Sequence, residues 1–224
     1  QDLAQRMPDW GVTIGEAHCD LRGRVMLMDV KVQPDPQQPP LLTIPKCLVT
    51  LDADLLLEQK QVFVQSVRFI NPQVLFARDA AGQWNWHGLT RPAESGQTPE
   101  LSVEQGQLVI DLAAADGVPA TQIASRSINL RLVPAGTRRY LVQGASQIAG
   151  AGPLSFGGQI DFNTGAWRVA GSADQIEMSQ GLLEQAAALA PDMGRKVAEL
   201  SGGGLPAAGA SVTPGIETYP HAPG

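Results

Sequence analysis

Charged residues are scarce in this sequence. They make up 17% of its 224 residues, against about 25% in an average soluble domain. The net charge is −6, and no run of basic residues is interleaved with aromatic ones. These two features exclude the electrostatic footprint of a nucleic-acid-binding surface. No apolar run reaches the 18 or so residues of a membrane-spanning helix.

Cysteine and histidine are also few. The two cysteines, Cys19 and Cys47, belong to no CxxC pair, and the three histidines form no HxH or HExxH motif. Neither a zinc site nor a disulfide framework is therefore indicated, and we expect no metal and no cofactor. A single bond between the two cysteines stays open for an oxidising compartment.

The residues that could act as nucleophiles do not form a catalytic group. His18, Cys19 and Asp20 are consecutive, and neighbours on a strand point to opposite faces, so His18 and Cys19 cannot form a dyad. Cys47 lies among alternating apolar residues, which is typical of a buried thiol, and His87 follows Trp86 at a strand end. The remaining acidic candidates are scattered: Asp111, Asp116, Asp161 and Asp174. We predict that the protein is not an enzyme.

What the sequence does contain favours β structure. Glycine and proline together number 41 of 224 residues, and 43% of the residues are hydrophobic. This composition predicts many short strands and turns around a sizeable apolar surface. We predict a mainly β fold, an elongated and curved antiparallel sheet that forms an open trough, with short helices at a corner near residues 53–59 and near the C-terminus at 179–200.

The chain divides into five parts by pattern. Residues 1–10 form a lead-in helix or linker, and residues 11–90 form a first β unit that ends in a hairpin. Residues 91–178 form a β meander whose strands recur every 12–16 residues or so. We predict that residues 179–200 form a helix that Pro191 breaks, and that residues 201–224, rich in Gly, Ala and Pro, form a flexible tail.

The end of the first β unit carries the most distinctive motif. Its sequence, RFINPQVLFARDAAGQWNWHGL, contains a proline break, a strand, a glycine turn and two tryptophans around an asparagine. With the preceding Leu-Leu helix, this order resembles the N-terminal region of the AsmA-like envelope proteins, the family that includes TamB. The residues that match the motif of that family are Pro72, Arg78, Asp79, Gly82, Trp84 and Asn85, followed here by Trp86.

The resemblance covers about residues 7–200 and implies a function. Such proteins form a sheet curled into a trough that holds lipid acyl chains, and they project into the periplasm from an inner-membrane anchor. We therefore expect a periplasmic protein tethered to the inner membrane by an upstream segment. It would bind phospholipid or another lipid in support of outer-membrane assembly or lipid homeostasis, and it would contact other envelope proteins or further segments of a longer parent.

Period-two alternation selects the residues that would line the trough. These are the apolar residues that alternate with polar ones on predicted strands: Met26, Met28, Val30, Val32, Ile128, Leu130, Leu132, Ile160, Phe162, Trp167 and Val169. Trp84 and Trp86 share a face and are expected to pack over the hairpin end, or else to touch lipid at the groove mouth.

Two other functions stay open. The same apolar residues would fill the closed core of a structural β domain with no ligand. An envelope hydrolase would require Cys19, His87 and the scattered aspartates to converge in space.

Overall fold

The computed structural model describes residues 11–20, 22–34, 38–79, 81–85, 98–114, 120–148 and 152–173. All strands in these ranges join one sheet of eleven strands, and one short helix interrupts them. The predicted mainly β fold is therefore confirmed. The predicted lead-in at 1–10, the helix at 179–200 and the tail at 201–224 lie outside the described residues.

Four strands precede a short helix, which lies at the predicted corner. The elements up to that corner are β1 (Gly11–Thr13), β2 (Glu16–Cys19), β3 (Arg24–Gln33), β4 (Leu42–Leu51) and helix α1 (Ala53–Gln59). Asp52 caps α1, because its carboxylate accepts a hydrogen bond of 3.0 Å from the Leu55 backbone N–H. Lys60 ends the helix in a left-handed conformation.

The strands after the helix include the two longest in the described residues, β7 with 13 residues and β8 with 16. They are β5 (Val64–Ile70), β6 (Gln73–Arg78), β7 (Glu100–Leu112), β8 (Thr121–Gly136), β9 (Arg139–Ile148), β10 (Pro153–Asp161) and β11 (Ala166–Ala173). From β7 to β11 each strand pairs antiparallel with the next one along the chain.

The order across the sheet is β1-β3-β4-β5-β7-β8-β9-β10-β11, with β2 paired to β3 and β6 paired to β4 and β7. Strand β7 runs parallel to β5 and β6. The prediction of an entirely antiparallel sheet is therefore wrong at this position. The connection of residues 79–99 is long enough to bring the chain back to the starting end of β5, as a parallel crossover requires.

Strands β5 and β6 lie end to end and form one interrupted strand. Lys46 of β4 pairs with Ile70, and Thr43 pairs with Gln73, so the register along β4 is the same on both sides of the break. The break itself is Asn71, which has φ 54°, followed by Pro72. The proline therefore interrupts one strand, and the two halves, β5 and β6, keep the same place in the sheet between β4 and β7.

A line of left-handed residues crosses the sheet at this level. Asp29, Asn71, Gln105 and Ser127 have φ of 53–54° and lie at one level on β3, the β5–β6 break, β7 and β8, with β4 between the first two. Asn129 joins two of them, since its side chain accepts from the Gln105 N–H at 3.1 Å and donates to the Ser127 carbonyl at 3.0 Å. Such bulges bend strands and increase their twist, which curves the sheet.

The line also resets the alternation of side chains. Val30 and Ile44 form a buried cluster with Cys47, and Leu27 packs against that cluster. Leu27 and Val30 therefore share a face although they are three residues apart, which a regular strand does not allow. Pro45 lies inside β4 at the level of this line, where a missing N–H is tolerated.

Candidate functional site

One face of the sheet carries two apolar rows that cross eight strands from β3 to β11. Residues paired directly in a ladder share a face, so the register identifies each row. The first row is Val25, Val49, Val67, Leu101, Leu132, Val142, Gly158 and Val169. The second row is Leu27, Cys47, Phe69, Val103, Leu130, Gly144, Phe156 and Gly171. We call the surface formed by these rows the apolar face.

The apolar face is continuous over the width of the sheet. None of its sixteen positions carries a charged side chain or an amide. Eight strands at a spacing of ~4.8 Å span roughly 34 Å. Where a glycine occurs, a neighbour fills the space: the Phe156 ring lies over Gly144, so that a Cβ there would stand 2.5 Å from Cζ.

The opposite face is polar over most of the sheet. Arg68 pairs with Glu104 and Arg131 pairs with Glu100, each at 2.6 Å and each across neighbouring strands. The Arg131 guanidinium is the main cause that lowers the pKa of Glu100. This charged surface, which we call the polar face, makes the sheet two-sided.

The predicted lining residues divide between the two faces. Leu130, Leu132, Ile160 and Val169 lie on the apolar face, as does Trp167, which pairs with Ile160. Ile128 lies two residues before Leu130, directly after the left-handed Ser127, and pairs with Gly106.

Met26 and Met28 were predicted to line the trough, and this prediction is wrong because neither lies on the apolar face. Met28 follows Leu27 and therefore points to the polar face, whereas Val30 belongs to the buried cluster on the apolar face. Val32 pairs with Leu42, which packs against that same cluster. The four residues do not share a face, because Asp29 in the left-handed conformation shifts the alternation by one position.

The apolar face is buried at its centre and open at one end. Val142 is 3% exposed and Leu132 is 8% exposed, whereas Phe162 is 45% and Trp167 is 51% exposed. The Phe162 ring meets the Tyr140 ring edge-on, with 5.8 Å between centroids. A cleft of about 350 Å³ near this end is lined by the row Tyr140, Ile160 and Trp167 and by Arg139, Gln159, Asp161 and Arg168, so most of its side chains belong to the opposite face.

Burial makes the phenol of Tyr140 less acidic than usual. Its side chain is 6% exposed, and this burial raises the pKa of the phenol. Tyr140 and Phe156 were not predicted as lining residues, although both belong to the apolar face. The alternation Tyr140, Val142 on β9 was available as a signal, but the single glycine at 144 interrupts it.

The motif residues of the first unit form a small hairpin. Arg78 and Trp84 form an antiparallel bridge, and the Arg78 guanidinium lies 5.7 Å from the centroid of the Trp84 ring. The Asp79 carboxylate accepts from the Gln83 N–H at 2.8 Å, and Gly82 has φ 82°, which favours glycine. Each of these residues has a structural contact. Trp86 and His87 lie outside the described residues.

Asn85 locks this hairpin onto β6. Its amide accepts from the Ala77 N–H at 3.0 Å and donates to the Leu75 carbonyl at 2.8 Å, while its own N–H donates to the Ala77 carbonyl at 2.8 Å. Strand β4 begins at Leu42 and pairs with β6 only up to Val74. Asn85 therefore supplies hydrogen-bond partners to the backbone of β6 where β4 does not reach.

The possible catalytic residues are not brought together where the structure describes them. Both cysteines are free thiols, Cys19 exposed and Cys47 buried. Burial raises the pKa of the Cys47 thiol, which is the opposite of activation for nucleophilic attack. Asp111 lies on β7 and Asp161 ends β10, where it pairs with Arg139 at 2.8 Å. Asp116 and Asp174 lie outside the described residues.

A second cleft, of about 610 Å³, is not on the apolar face. It is a shallow depression over the left-handed line on the polar face, and its lining includes Glu104, Asn129, Arg131 and Gln143. The carboxylate and guanidinium groups there already pair with each other or with neighbouring strands. It is therefore a poor site for an apolar ligand.

Comparison with protein-family models and with curated protein sequences finds no match to this chain. Within the described ranges, no helix is both long and apolar enough to cross a lipid bilayer.

Proposed function

We propose that the protein binds lipid acyl chains on the apolar face of its sheet, as a lipid-binding or lipid-transfer module of the bacterial envelope. The observation that carries this proposal is the pair of rows, sixteen positions without a charged or amide side chain across eight strands. The resemblance of the motif around Pro72 and Trp84 to AsmA-like proteins supports the same function. It also supports a periplasmic location and an inner-membrane tether, which belong to the proposal.

Energetics favour a surface of this kind for an acyl chain. Removing a chain of about sixteen carbons from a bilayer costs roughly 12 kcal/mol, at ~0.8 kcal/mol per methylene. A carrier offsets this cost with contacts that are apolar and non-directional, and these need no catalytic group. In the described residues, the largest accessible apolar side chains of the apolar face are at the end formed by Phe162 and Trp167. We place the bound chain there, against the exposed rings of Phe162 and Trp167.

The second candidate is a structural β domain without a ligand. The near-complete burial of Val142 and Leu132 favours it, because these side chains already have the neighbours that a core residue requires. The two candidates differ at the exposed end of the apolar face. A structural domain would leave that end free, or would cover it with protein.

Lipid analysis separates the two candidates. We expect the purified protein to carry phospholipid that solvent extraction and mass spectrometry detect, and to take up a fluorescent phospholipid from vesicles. The double variant Leu130→Asp with Phe162→Asp places two charges on the apolar face, and we expect it to lose uptake while circular dichroism shows a folded sheet. A protein that carries no lipid and takes none up would favour the structural domain.

A further inference from the structure

The hairpin of β2 and β3 brings three soft metal-ligating side chains together at the edge of the sheet. His18 pairs directly with Met26, and Glu16 pairs directly with Met28. Met26 and Met28 alternate on β3 and so lie on one face, the polar face. The imidazole and both thioethers therefore project from the same side of this hairpin.

The spacing suits a single ion. Directly paired residues have Cβ atoms ~5 Å apart, and diagonal neighbours are ~7 Å apart, distances that long side chains bridge. Methionine has three rotatable bonds and adapts its sulfur position easily. Both methionines are half-buried, and His18 is exposed over 60% of its side chain, so an ion can reach the imidazole from solvent.

The neighbouring charges point to the class of ion. Thioether sulfur and imidazole nitrogen are soft or borderline ligands, which select Cu(I) among the biological metals and also bind Ag(I). Lys46 pairs with Met28 from the other side, and its positive charge favours a monovalent over a divalent ion. Within the described ranges, no group of three His, Cys, Asp or Glu side chains is placed to hold a metal, so such a site needs the thioethers.

We propose that His18, Met26 and Met28 form a surface site for a soft monovalent cation, Cu(I) or Ag(I). The Glu16 carboxylate lies 3.3 Å from His18 Nε2, and this contact orients the ring and leaves the second ring nitrogen for the ion. The site lies on the polar face and is independent of lipid binding. It also accounts for two methionines on a face that is otherwise mostly charged and polar.

Silver titration tests the site without redox chemistry. The full chain with Cys19→Ser, which removes the exposed thiol, is labelled with ¹³C at its methionine methyl groups and titrated with silver nitrate in chloride-free buffer. We expect the Met26 and Met28 resonances to shift together and to saturate near one equivalent. The signals of Met7, Met178 and Met193 serve as internal controls and should stay in place. A titration that moves all five signals alike, or none, overturns the proposal.

Variants identify the ligands. Met26→Leu with Met28→Leu keeps the side-chain volume nearly constant, so the hairpin is expected to fold. We expect this variant, and separately His18→Gln, to bind Cu(I) at least tenfold more weakly in competition with a chromogenic Cu(I) chelator. The matched control Met178→Leu with Met193→Leu should bind as the parent does. Unchanged affinity in the Met26, Met28 double variant would overturn the proposal.

Discussion

Trp167 and Leu141 are exposed to similar extents, 51% and 43%, yet their side chains lie on opposite faces of the sheet. Trp167 pairs with Ile160 on the apolar face, whereas Leu141 lies between Tyr140 and Val142 and points to the polar face. The two positions therefore form a matched pair for testing which face binds lipid.

A charge at Trp167 is expected to abolish uptake of a fluorescent phospholipid, and the same charge at Leu141 is not. Trp167→Glu puts a carboxylate where an acyl chain would lie, and desolvating it would cost several kcal/mol. Leu141→Glu adds the same charge to a surface that already carries ion pairs. Both positions are exposed, so both variants should keep the melting temperature of the parent within a few degrees. Equal loss of uptake in the two variants would refute binding on the apolar face.

The Asn85 side chain is expected to be a main stabiliser of the first unit. Asn85→Ala removes two hydrogen bonds to the backbone of Leu75 and Ala77 and leaves those groups without their partner. We expect the free energy of unfolding to fall by about 2 kcal/mol, as measured by urea denaturation. Gln83→Ala changes an exposed side chain in the same turn and keeps its backbone bonds, so it should change stability by less than about 0.5 kcal/mol. A similar loss in both variants would contradict this role for the amide.

Two neighbouring glycines of β10 should respond differently to alanine. A Cβ on Gly158 would run into the Arg168 carbonyl of β11, whereas a Cβ on Gly157 would make an ordinary 3.5 Å contact with the Val142 carbonyl. We expect Gly158→Ala to destabilise the protein by about 1–3 kcal/mol. Gly157→Ala should be neutral or slightly stabilising, because it restricts the unfolded chain.

Amide hydrogen exchange locates that effect. Gly158→Ala should lose protection first in β11, which pairs with β10 along its whole length. Uniform loss of protection over the sheet would show that the substitution acts elsewhere.

Acid should weaken the fold through carboxylates at the turns. Backbone N–H groups of Asn163 and Thr164, together with Arg139, hold the pKa of Asp161 below its ordinary value of 3.8. The pKa of Asp20 and that of Asp52 are lowered for similar reasons. A depressed pKa in the folded state contributes stability that is present above the ordinary pKa and is lost as the pH falls through the depressed one.

We therefore expect the free energy of unfolding to decline as the pH falls from about 5 to about 2. Asp161→Asn should make this decline smaller, because one carboxylate no longer gains a proton. Urea denaturation at several pH values measures the slope. The control variant is Asp111→Asn, which changes an exposed aspartate inside β7. An identical slope for the parent and Asp161→Asn would exclude the proposed contribution of the Asp161 carboxylate.

Composition and alternation were sufficient to predict the fold class, the corner helix and most strands. They failed where a single backbone angle decides the outcome. Asp29 at φ 53° moves Val30 to the face of Leu27, and no pattern of apolar residues shows this, because Met26, Met28, Val30 and Val32 alternate without interruption in the sequence. The parallel pairing of β5 with β7 was missed for a related reason, since alternation does not reveal which strand lies beside which.

The candidate site was predicted in part. Strands without a left-handed residue between their apolar positions, such as the one carrying Leu130 and Leu132, gave the correct face. Phe156 was missed because Gly157 and Gly158 follow it, and Tyr140 because Gly144 interrupts the apolar alternation of β9. Only the three-dimensional register shows that the Phe156 ring fills the gap at Gly144. The cross-strand neighbours His18 and Met26 were likewise visible only once the hairpin register was known.

Strands β7 to β11 pair in the order in which they follow along the chain. This half of the sheet can therefore assemble by a different route from the first half. Each of these strands meets its partner across a short turn or a single loop, so the closure entropy is small and the hairpins can form early. Strands β5 and β6 instead reach β7 only after the chain of residues 79–99 has looped back. The C-terminal strands are thus suited to act as the template on which the first unit docks during synthesis or refolding.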